Sequence, residues 1–308
     1  MAKPIKQEFL AQLAARFGVV KRLNDSQSLF EIGNGAARVY VRYSKLHPRG
    51  QAFYGLRLSD LKALEGHPSV ICFLWDGQAA PLMLPFSDYE QLFQGLTPAG
   101  DGQFKAQLYP QEQQGTELYV ARAGRFNVEA FFGWSPLESL VDLSRCTRVP
   151  ILSHPQVQTL LGAIGVHKGF DIWVPRNDRA KLDWSLTGEF QCCDLLPAGL
   201  ESIRAVVQEI DVIWMHRGSG KPAALFEVEH STSIYSGLLR FNDIHLSAPA
   251  FQPRFSIVAD DVRRDAFVRQ LNRPSFLRSG LNELCSFLEY ANVFGWYQRL
   301  FKHEIESK

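Results

Sequence analysis

The chain has 308 residues, of which 46% are hydrophobic and 21% are charged, and its net charge is +1. These values are typical of an ordinary globular protein with room for about two domains, and the overall charge indicates no class of partner. No apolar run approaches the roughly 18 residues of a membrane span. Five cysteines without CxxC or Cys/His spacing argue against a structural zinc site.

The first half of the sequence predicts an α+β domain. Phe9, Leu10, Leu13 and Phe17 have helical spacing in an N-terminal segment without the apolar block of a signal peptide, so we expect a cytoplasmic protein. Short strands and helices then alternate. The predicted strands are 28–33, 37–43, 69–75, 80–84 and 116–121, and the predicted helices are 58–65 and 87–93. Residues 144–155 have two prolines and no sustained period, so we divide the chain into domains 1–147 and 148–308.

Residues 37–57 combine basic and aromatic side chains and contain no acidic residue. Such a composition suits phosphate contacts and base stacking, although an ordinary basic surface is the alternative. On a strand Arg38, Tyr40 and Arg42 share one face, which leaves Tyr43 as the tyrosine expected to face the core. The candidate nucleic-acid-binding residues of this stretch are Arg38, Arg42, Lys45, Arg49, Tyr54 and Arg57.

The second half predicts a mixed sheet flanked by helices, because a hairpin is followed by a helical crossover to another strand. The predicted helices are 156–166, 199–205, 233–245 and 262–271, with a long apolar-faced helix over 281–301. The predicted strands are 170–174, 208–215, 223–230 and 255–259.

Three carboxylates fall within the apolar hairpin of this half. Glu227 and Glu229 share one strand face, and a hairpin of this length can place Asp211 beside them. Buried together, three negative charges repel one another unless a cation such as Mg²⁺ (or Mn²⁺) binds them. Such an ion assists phosphodiester hydrolysis by activating water. The alternative is an edge strand whose acids face solvent.

The spacing of Asp211, Glu227 and Glu229 resembles the PD-(D/E)XK nuclease superfamily, in a variant with Glu at the usual Lys position. The resemblance covers about 155–275 and implies a restriction-endonuclease-like fold. It implies that Asp211 and Glu227 are metal ligands and that Glu229 is a ligand or a base for the attacking water. The acidic residue that the family often carries on its first helix is missing from 156–166; Glu209 or Asp171 is a candidate substitute.

Further candidate residues follow the motif. His230 is a candidate catalytic residue that touches the scissile phosphate or a water on the metal. Arg240 is expected to reach a backbone phosphate, and Arg263 and Arg264 lie in an arginine-rich stretch that could line a nucleic-acid groove. A solvated arginine and an exposed charged helix are the respective alternatives.

These observations favour a two-domain, Mg²⁺-dependent DNA endonuclease, a hydrolase of restriction or other anti-foreign-DNA defence. Domain 1–147 would recognise DNA and domain 148–308 would cut it. One alternative is a non-catalytic nucleic-acid-binding protein on a nuclease-like fold, and a weaker one is a small-molecule phosphoryl hydrolase. The sequence leaves open whether two chains pair as a homodimer to cut both strands.

Overall fold

A computed structural model describes residues 4–23, 26–94, 96–110, 115–146, 149–230, 233–249, 251 and 253–305. The chain divides into two compact units, Met1–Thr147 and Arg148–Lys308. Both units mix helices with mixed or antiparallel sheets. Within the described residues no helix combines the length and the apolar character that crossing a bilayer requires.

The N-terminal unit is built on two sheets. Its helices are α1 (Pro4–Phe17), α2 (Leu58–Leu64), α3 (Phe86–Gln94) and α4 (Ser135–Cys146), with a short 3-10 helix at Glu129–Phe131. Its strands are β1 (Val20–Arg22), β2 (Leu29–Ile32), β3 (Ala37–Ser44), β4 (Ala52–Arg57), β5 (Ser69–Trp75), β6 (Leu82–Pro85), β7 (Gln103–Tyr109), β8 (Glu117–Val120) and β9 (Gly124–Asn127).

The first sheet has the order β1-β2-β3-β5-β6, and the second has the order β4-β7-β8-β9. One face of the first sheet packs on α1 and α4 through residues such as Val39 and Val41. Its other face and the inner face of the second sheet share a core that includes Tyr40, Tyr54 and Leu108. Both faces of the first sheet are therefore covered, which explains why β5 is buried along its whole length.

The predicted helices of this unit and the strand at 69–75 are confirmed to within a residue or two, whereas β1, β4, β7 and β9 are missed. In β7, buried Phe104, Ala106 and Leu108 alternate with more exposed polar residues. The small Ala106 weakens this pattern in the sequence. In β4, Gly55 resembles a turn residue, yet pairing with Lys105 holds it in the sheet.

The C-terminal unit contains one five-stranded sheet. Its helices are α5 (His154–His167), α6 (Arg176–Arg179), α7 (Arg204–Val207), α8 (Ile234–Ser247), α9 (Arg264–Leu271), α10 (Pro274–Ser279), α11 (Leu281–Leu284) and α12 (Tyr290–Ile305), with 3-10 turns at Glu201–Ile203 and Asp261–Arg263. Its strands are β10 (Phe170–Trp173), β11 (Val212–His216), β12 (Pro222–Glu229), β13 (Arg254–Ala259) and β14 (Cys285–Glu289).

The strand order is β10-β11-β12-β13-β14. β10, β11 and β12 are antiparallel neighbours, whereas β12, β13 and β14 run parallel after the crossover through α8. One face of the sheet packs on α5 and α12, and the other packs on α8 and α9. The predicted mixed sheet flanked by helices is confirmed.

The predicted long helix over 281–301 is wrong. Its first part is α11, its middle is strand β14, and only its last part belongs to α12. β14 forms because Cys285–Glu289 pairs in parallel with β13, a long-range contact that outweighs local helical spacing. The strand predicted over 208–215 begins at Val212, so Asp211 lies immediately before β11.

Candidate active site

The hairpin of β11 and β12 brings the three predicted carboxylates to one side of the sheet. Val212 pairs with Phe226, which places Asp211 next to Glu227 in the register. The Asp211 Oδ2 accepts a hydrogen bond of 2.7 Å from the backbone N–H of Val228. Glu227 and Glu229 alternate with Val228 and point toward α8.

A cavity of about 500 Å³ opens between β12, α5 and α8. Its walls combine three acidic with three basic or imidazole side chains, together with two serines and one valine. The lining residues are His154, Asp211, Glu227, Val228, Glu229, His230, Ser233, Ser236 and Arg240.

Glu227 and Glu229 are only 1% and 2% exposed, because β12 is a central strand with α8 lying across it. Gly237 on α8 permits this approach. A Cβ at that position would lie 2.9 Å from the Glu229 Oε1 and 3.2 Å from the Glu227 Cβ. Two carboxylates are therefore buried beneath a helix, which excludes the solvent-facing edge strand as their explanation.

Arg240 on α8 forms a bidentate ion pair with Glu227, with both N–O distances equal to 2.7 Å. Burial raises the pKa of Glu227 to about 8 against the hydrogen bond from Arg240, and the charges of Asp211 and Glu229 add to the rise. A buried carboxylate needs a cationic partner, and Arg240 provides it. The expectation that Arg240 reaches a DNA phosphate is thus not met in this structure, because its guanidinium is engaged inside the site.

His154 is a site residue that sequence reasoning missed. Its Nε2 lies 3.5 Å from the Asp211 Oδ1. Burial lowers the pKa of His154, but the hydrogen bond and charge of Asp211 outweigh it and raise the pKa above its usual value. The helix begins at His154, after the capping residue Ser153, two residues earlier than predicted. The Ser-His-Pro sequence, with a capping serine and a proline in the first turn, indicates a helix that begins at His154.

The two residues considered as substitutes for a first-helix acid lie elsewhere. The side chain of Asp171 is 41% exposed and lies 3.7 Å from Arg217. Glu209 is exposed on the turn before Ile210. Neither lines the cavity.

The other residues predicted near the motif have defined partners. His230 lines the cavity and stacks on Tyr290 of α12, with ring centroids 6.1 Å apart. Arg263 donates a hydrogen bond of 2.7 Å to the backbone oxygen of Glu229, and Arg264 forms an ion pair with Glu289. Arg263 thus contacts the end of the central strand β12 and Arg264 the end of the edge strand β14, while their contacts to a nucleic-acid groove stay a prediction.

Two of the candidates in 37–57 are inside the N-terminal unit. Arg38 is 9% exposed, lies 3.7 Å from Glu31 and donates to the backbone oxygen of Ala63. Tyr54 is 3% exposed and its hydroxyl donates to the backbone oxygen of Leu74 at 3.0 Å. Their predicted surface roles are wrong, because β3 is covered on both faces and β4 turns Tyr54 inward.

The expectation for the tyrosines of β3 is confirmed only in part, because Tyr43 packs against the core on the Val39 face but Tyr40, on the opposite face, is buried as well. Tyr40 is fully buried, and its hydroxyl accepts a hydrogen bond of 3.0 Å from the backbone N–H of Arg57. Tyr43, near the end of the strand, is half-buried and donates to Asp76 at 2.6 Å. Arg42 is half-buried, with its guanidinium 5.6 Å from the Tyr40 ring centroid. The candidates that remain exposed are Lys45, Arg49 and Arg57.

Within the part of the chain that the structure describes, no three His, Cys, Asp or Glu side chains are grouped closely enough to hold a metal ion. Both Glu227 oxygens accept from Arg240, and the Asp211 Oδ2 accepts from Val228. The carboxylates are hard oxygen donors of the kind that Mg²⁺ prefers, so the donor chemistry fits this ion. Its binding would require Glu227 to give up at least part of its contact with Arg240.

Comparisons with known proteins find a type II restriction enzyme. Over 165 residues, the chain is 35% identical to the type II restriction enzyme NmeDI of Neisseria meningitidis serogroup C. The match covers 50% of this chain and 45% of that relative, so this chain matches less than half the length of the relative. No solved structure matches the chain at a significant level.

A family model described as the type II restriction enzyme NmeDI C-terminal domain matches residues 142–307, a range that contains the whole cavity. This range is more than half of the 308 residues. The chain therefore belongs to the family of the type II restriction enzyme NmeDI C-terminal domain.

Proposed function

We propose that the protein is a metal-dependent restriction endonuclease that hydrolyses phosphodiester bonds of DNA with its C-terminal unit. One observation carries this proposal: Asp211, Glu227 and Glu229 meet at one cavity, two of them buried under a helix. Burial of these carboxylates destabilises the fold, and costly buried charges of this kind are concentrated at functional sites. A site that hydrolyses phosphodiester bonds would account for them. The similarity to a type II restriction enzyme supports the same reaction.

In the proposed reaction, Asp211 and Glu227 would hold Mg²⁺ or Mn²⁺. When bound, the ion supplies Lewis-acid stabilisation of the charge that develops on the phosphate and lowers the pKa of the attacking water. Glu229 binds the same ion or accepts the proton of that water, in place of the lysine of the commoner PD-(D/E)XK pattern. We also propose that the five-stranded sheet of the C-terminal unit is the restriction-endonuclease-like sheet of this superfamily.

Two histidines have proposed positioning roles at the cavity. His154, 3.5 Å from Asp211, orients the Asp211 carboxylate from the N-terminus of α5. His230 is held by the Tyr290 ring and faces the same cavity, where it contacts the scissile phosphate or a water. A ring N–H of either histidine can donate a hydrogen bond to a phosphate oxygen.

DNA recognition is proposed for the N-terminal unit. The exposed cations Lys45, Arg49 and Arg57 remain candidates for phosphate contacts, and the half-buried Arg42 is a weaker one. Each phosphate contact makes affinity fall as salt rises. Two chains could act together, each cutting one strand of the DNA. Measuring the mass of the protein–DNA complex tests this arrangement.

The test is incubation of the purified protein with unmodified and methylated plasmid DNA, with and without Mg²⁺. Cleavage that requires the ion and disappears in Glu227→Ala supports the proposal. Intact plasmid under every divalent ion and every state of methylation contradicts it.

A second candidate function is non-catalytic binding of nucleic acid on a nuclease-like fold. The bidentate pair of Arg240 and Glu227 favours this alternative, because a guanidinium already compensates the buried charge. DNA binding that is insensitive to Mg²⁺, together with absence of cleavage, would establish this second function.

A further inference from the structure

The second sheet of the N-terminal unit has one buried and one exposed face. Tyr54, Phe104, Leu108 and Leu118 point into the core. The opposite face is partly or fully exposed along all four strands and carries aromatic, amide and basic side chains together with one glutamate. These outward residues, which we call the outer face, are Phe53, Arg57, Gln103, Lys105, Gln107, Tyr109, Glu117, Tyr119 and Arg125.

The side chains of the outer face form a row across the sheet. Phe53 pairs with Gln107, Gln107 pairs with Tyr119, and Tyr119 pairs with Arg125. Neighbouring strands lie about 4.8 Å apart, so the Phe53 and Tyr119 backbones are separated by about 10 Å. The row therefore presents two aromatic platforms with an amide side chain between them.

The planar groups of the outer face are held in place. Phe53 is 43% exposed, and the His47 ring meets it edge-on with centroids 5.0 Å apart. The Arg125 guanidinium lies 4.6 Å from the Tyr109 ring centroid and 5.8 Å from that of Tyr119. An exposed phenylalanine at one edge of the sheet and a guanidinium near two tyrosine rings at the other give a surface of flat groups, which suits flat ligands.

The charge of this region favours an anionic ligand. The acidic Asp101 and Glu117 form ion pairs with Lys105 and Arg125, the latter at 2.7 Å. Arg57 adds a positive charge, and the loop that leads into β4 adds the exposed Lys45 and Arg49. Among the described residues named here, five cations stand against two carboxylates.

We propose that the outer face binds unpaired nucleotides of a nucleic-acid strand, with bases stacked on Phe53, Tyr119 and the Arg125 plane and phosphates held by Arg57 and Lys105. Base faces are accessible on a single strand, whereas in a duplex they stack on one another. Gln103 and Gln107 supply donors and acceptors for base edges. This interaction goes beyond the proposed duplex cleavage and does not depend on it.

The experiment measures fluorescence anisotropy of a labelled thymidine strand of about 20 nucleotides, longer than one such site needs, with the full chain in EDTA. Phe53→Ala and Tyr119→Ala are each expected to weaken binding about 5- to 150-fold, the equivalent of one lost stacking contact. Tyr119→Phe keeps the ring and retains wild-type affinity. Val19→Ala removes another exposed apolar side chain of this unit and has no effect.

Thermal unfolding of each variant identifies those that remain folded. If both alanine variants unfold, Lys105→Gln and Arg57→Gln test the proposal instead. Each lost phosphate contact should reduce the salt dependence of strand affinity, measured as the slope of log affinity against log salt, by about 0.7. Wild-type affinity in a folded Phe53→Ala or Tyr119→Ala variant overturns the proposal, as do unchanged salt slopes of strand binding in Lys105→Gln and Arg57→Gln. Glu227→Ala is expected to retain strand binding, so loss of cleavage and loss of this interaction are measured separately.

Discussion

The two units place charged side chains on their sheets in opposite ways. In the C-terminal unit, Glu227 and Glu229 are buried on a central strand beneath a helix, with Arg240 as a partner. In the N-terminal unit, Lys105 and Arg125 stand on the outer face of a sheet whose other face is buried, with half-exposed ion pairs to Asp101 and Glu117.

This difference determines how much a single side chain matters. A buried charge carries a large desolvation cost, so its partners are coupled to it and cannot be removed without consequence. An exposed ion pair contributes only about 0–1 kcal/mol to stability. The charges of such a surface therefore matter together rather than one by one. Single substitutions of charged side chains should therefore have large effects at the cavity and small effects on the outer face.

The largest effect is expected for Glu227→Ala and Asp211→Ala. Each removes a proposed metal ligand, so Mg²⁺-dependent plasmid cleavage should fall to the background of the assay while the circular dichroism spectrum stays that of the wild type. Glu209→Ala removes an exposed acid outside the cavity and serves as the matched control, with full activity expected. Full cleavage by either cavity variant would place the active site elsewhere.

Substitution of Glu229 tests the departure from the commoner superfamily pattern. Glu229→Gln should lower the cleavage rate by at least about 10²-fold, since the neutral amide can neither accept the proton of water nor bind a cation as strongly. Glu229→Lys should retain part of the activity, because an ammonium group also orients water. Single-turnover cleavage measures both rates, and a fully active Glu229→Gln would remove this residue from the mechanism.

Removing Arg240 should destabilise the C-terminal unit. Arg240→Ala leaves the buried Glu227 without its partner, at a cost of about 3 kcal/mol, the lower end for a broken buried pair because the Arg240 side chain is 31% exposed. Urea unfolding measures this loss. Glu227→Gln in the same chain should restore much of the stability, whereas additive losses would show that the two residues are not coupled.

The loss from Arg240→Ala should also depend on pH. A carboxyl group whose pKa is raised on folding stabilises the fold less as pH rises above its ordinary value of 4.5, and burial raises the pKa of Glu227. At pH 5 the proton neutralises Glu227, and at pH 8 the variant must bury an unpaired charge or hold the proton. The stability difference from wild type should therefore be larger at pH 8, and equal differences would contradict the ion-pair role.

A smaller effect is expected at the buried hydroxyl of Tyr54. Tyr54→Phe removes the hydrogen bond to the Leu74 carbonyl and should lower the free energy of unfolding by about 1 kcal/mol. Affinity for duplex DNA should not change, since the ring is inside the core. A change in DNA affinity without a change in stability would restore the role that the sequence predicted for this tyrosine.

The smallest effect is expected at Arg49. Arg49→Ala should change stability by less than about 0.5 kcal/mol, because the residue is exposed on a loop. If Arg49 contacts a duplex phosphate, the salt slope of binding should fall by about 0.9. An anisotropy titration in increasing salt measures the slope, with Val19→Ala as the control; an unchanged slope excludes the contact.

The carboxylate cluster could be predicted because its geometry is local. Asp211 directly precedes β11, Glu227 lies on β12 across a short turn, and side-chain alternation along β12 puts Glu229 on the same face as Glu227. Strand period and hairpin length suffice to place these three residues together. The mixed sheet flanked by helices follows from the same pattern of elements.

What the sequence did not reveal depends on contacts between distant segments. His154 reaches Asp211 only because α5 packs on the sheet, and Cys285–Glu289 becomes a strand only because β13 offers its edge. The basic-aromatic stretch is divided because β3 and β4 enter different sheets, which buries Tyr54 and leaves Phe53 exposed. Composition and hydrophobic period determined which residues are chemically able to act. Packing between distant elements decided which of them face solvent, because the neighbours that bury a residue lie far from it in the sequence.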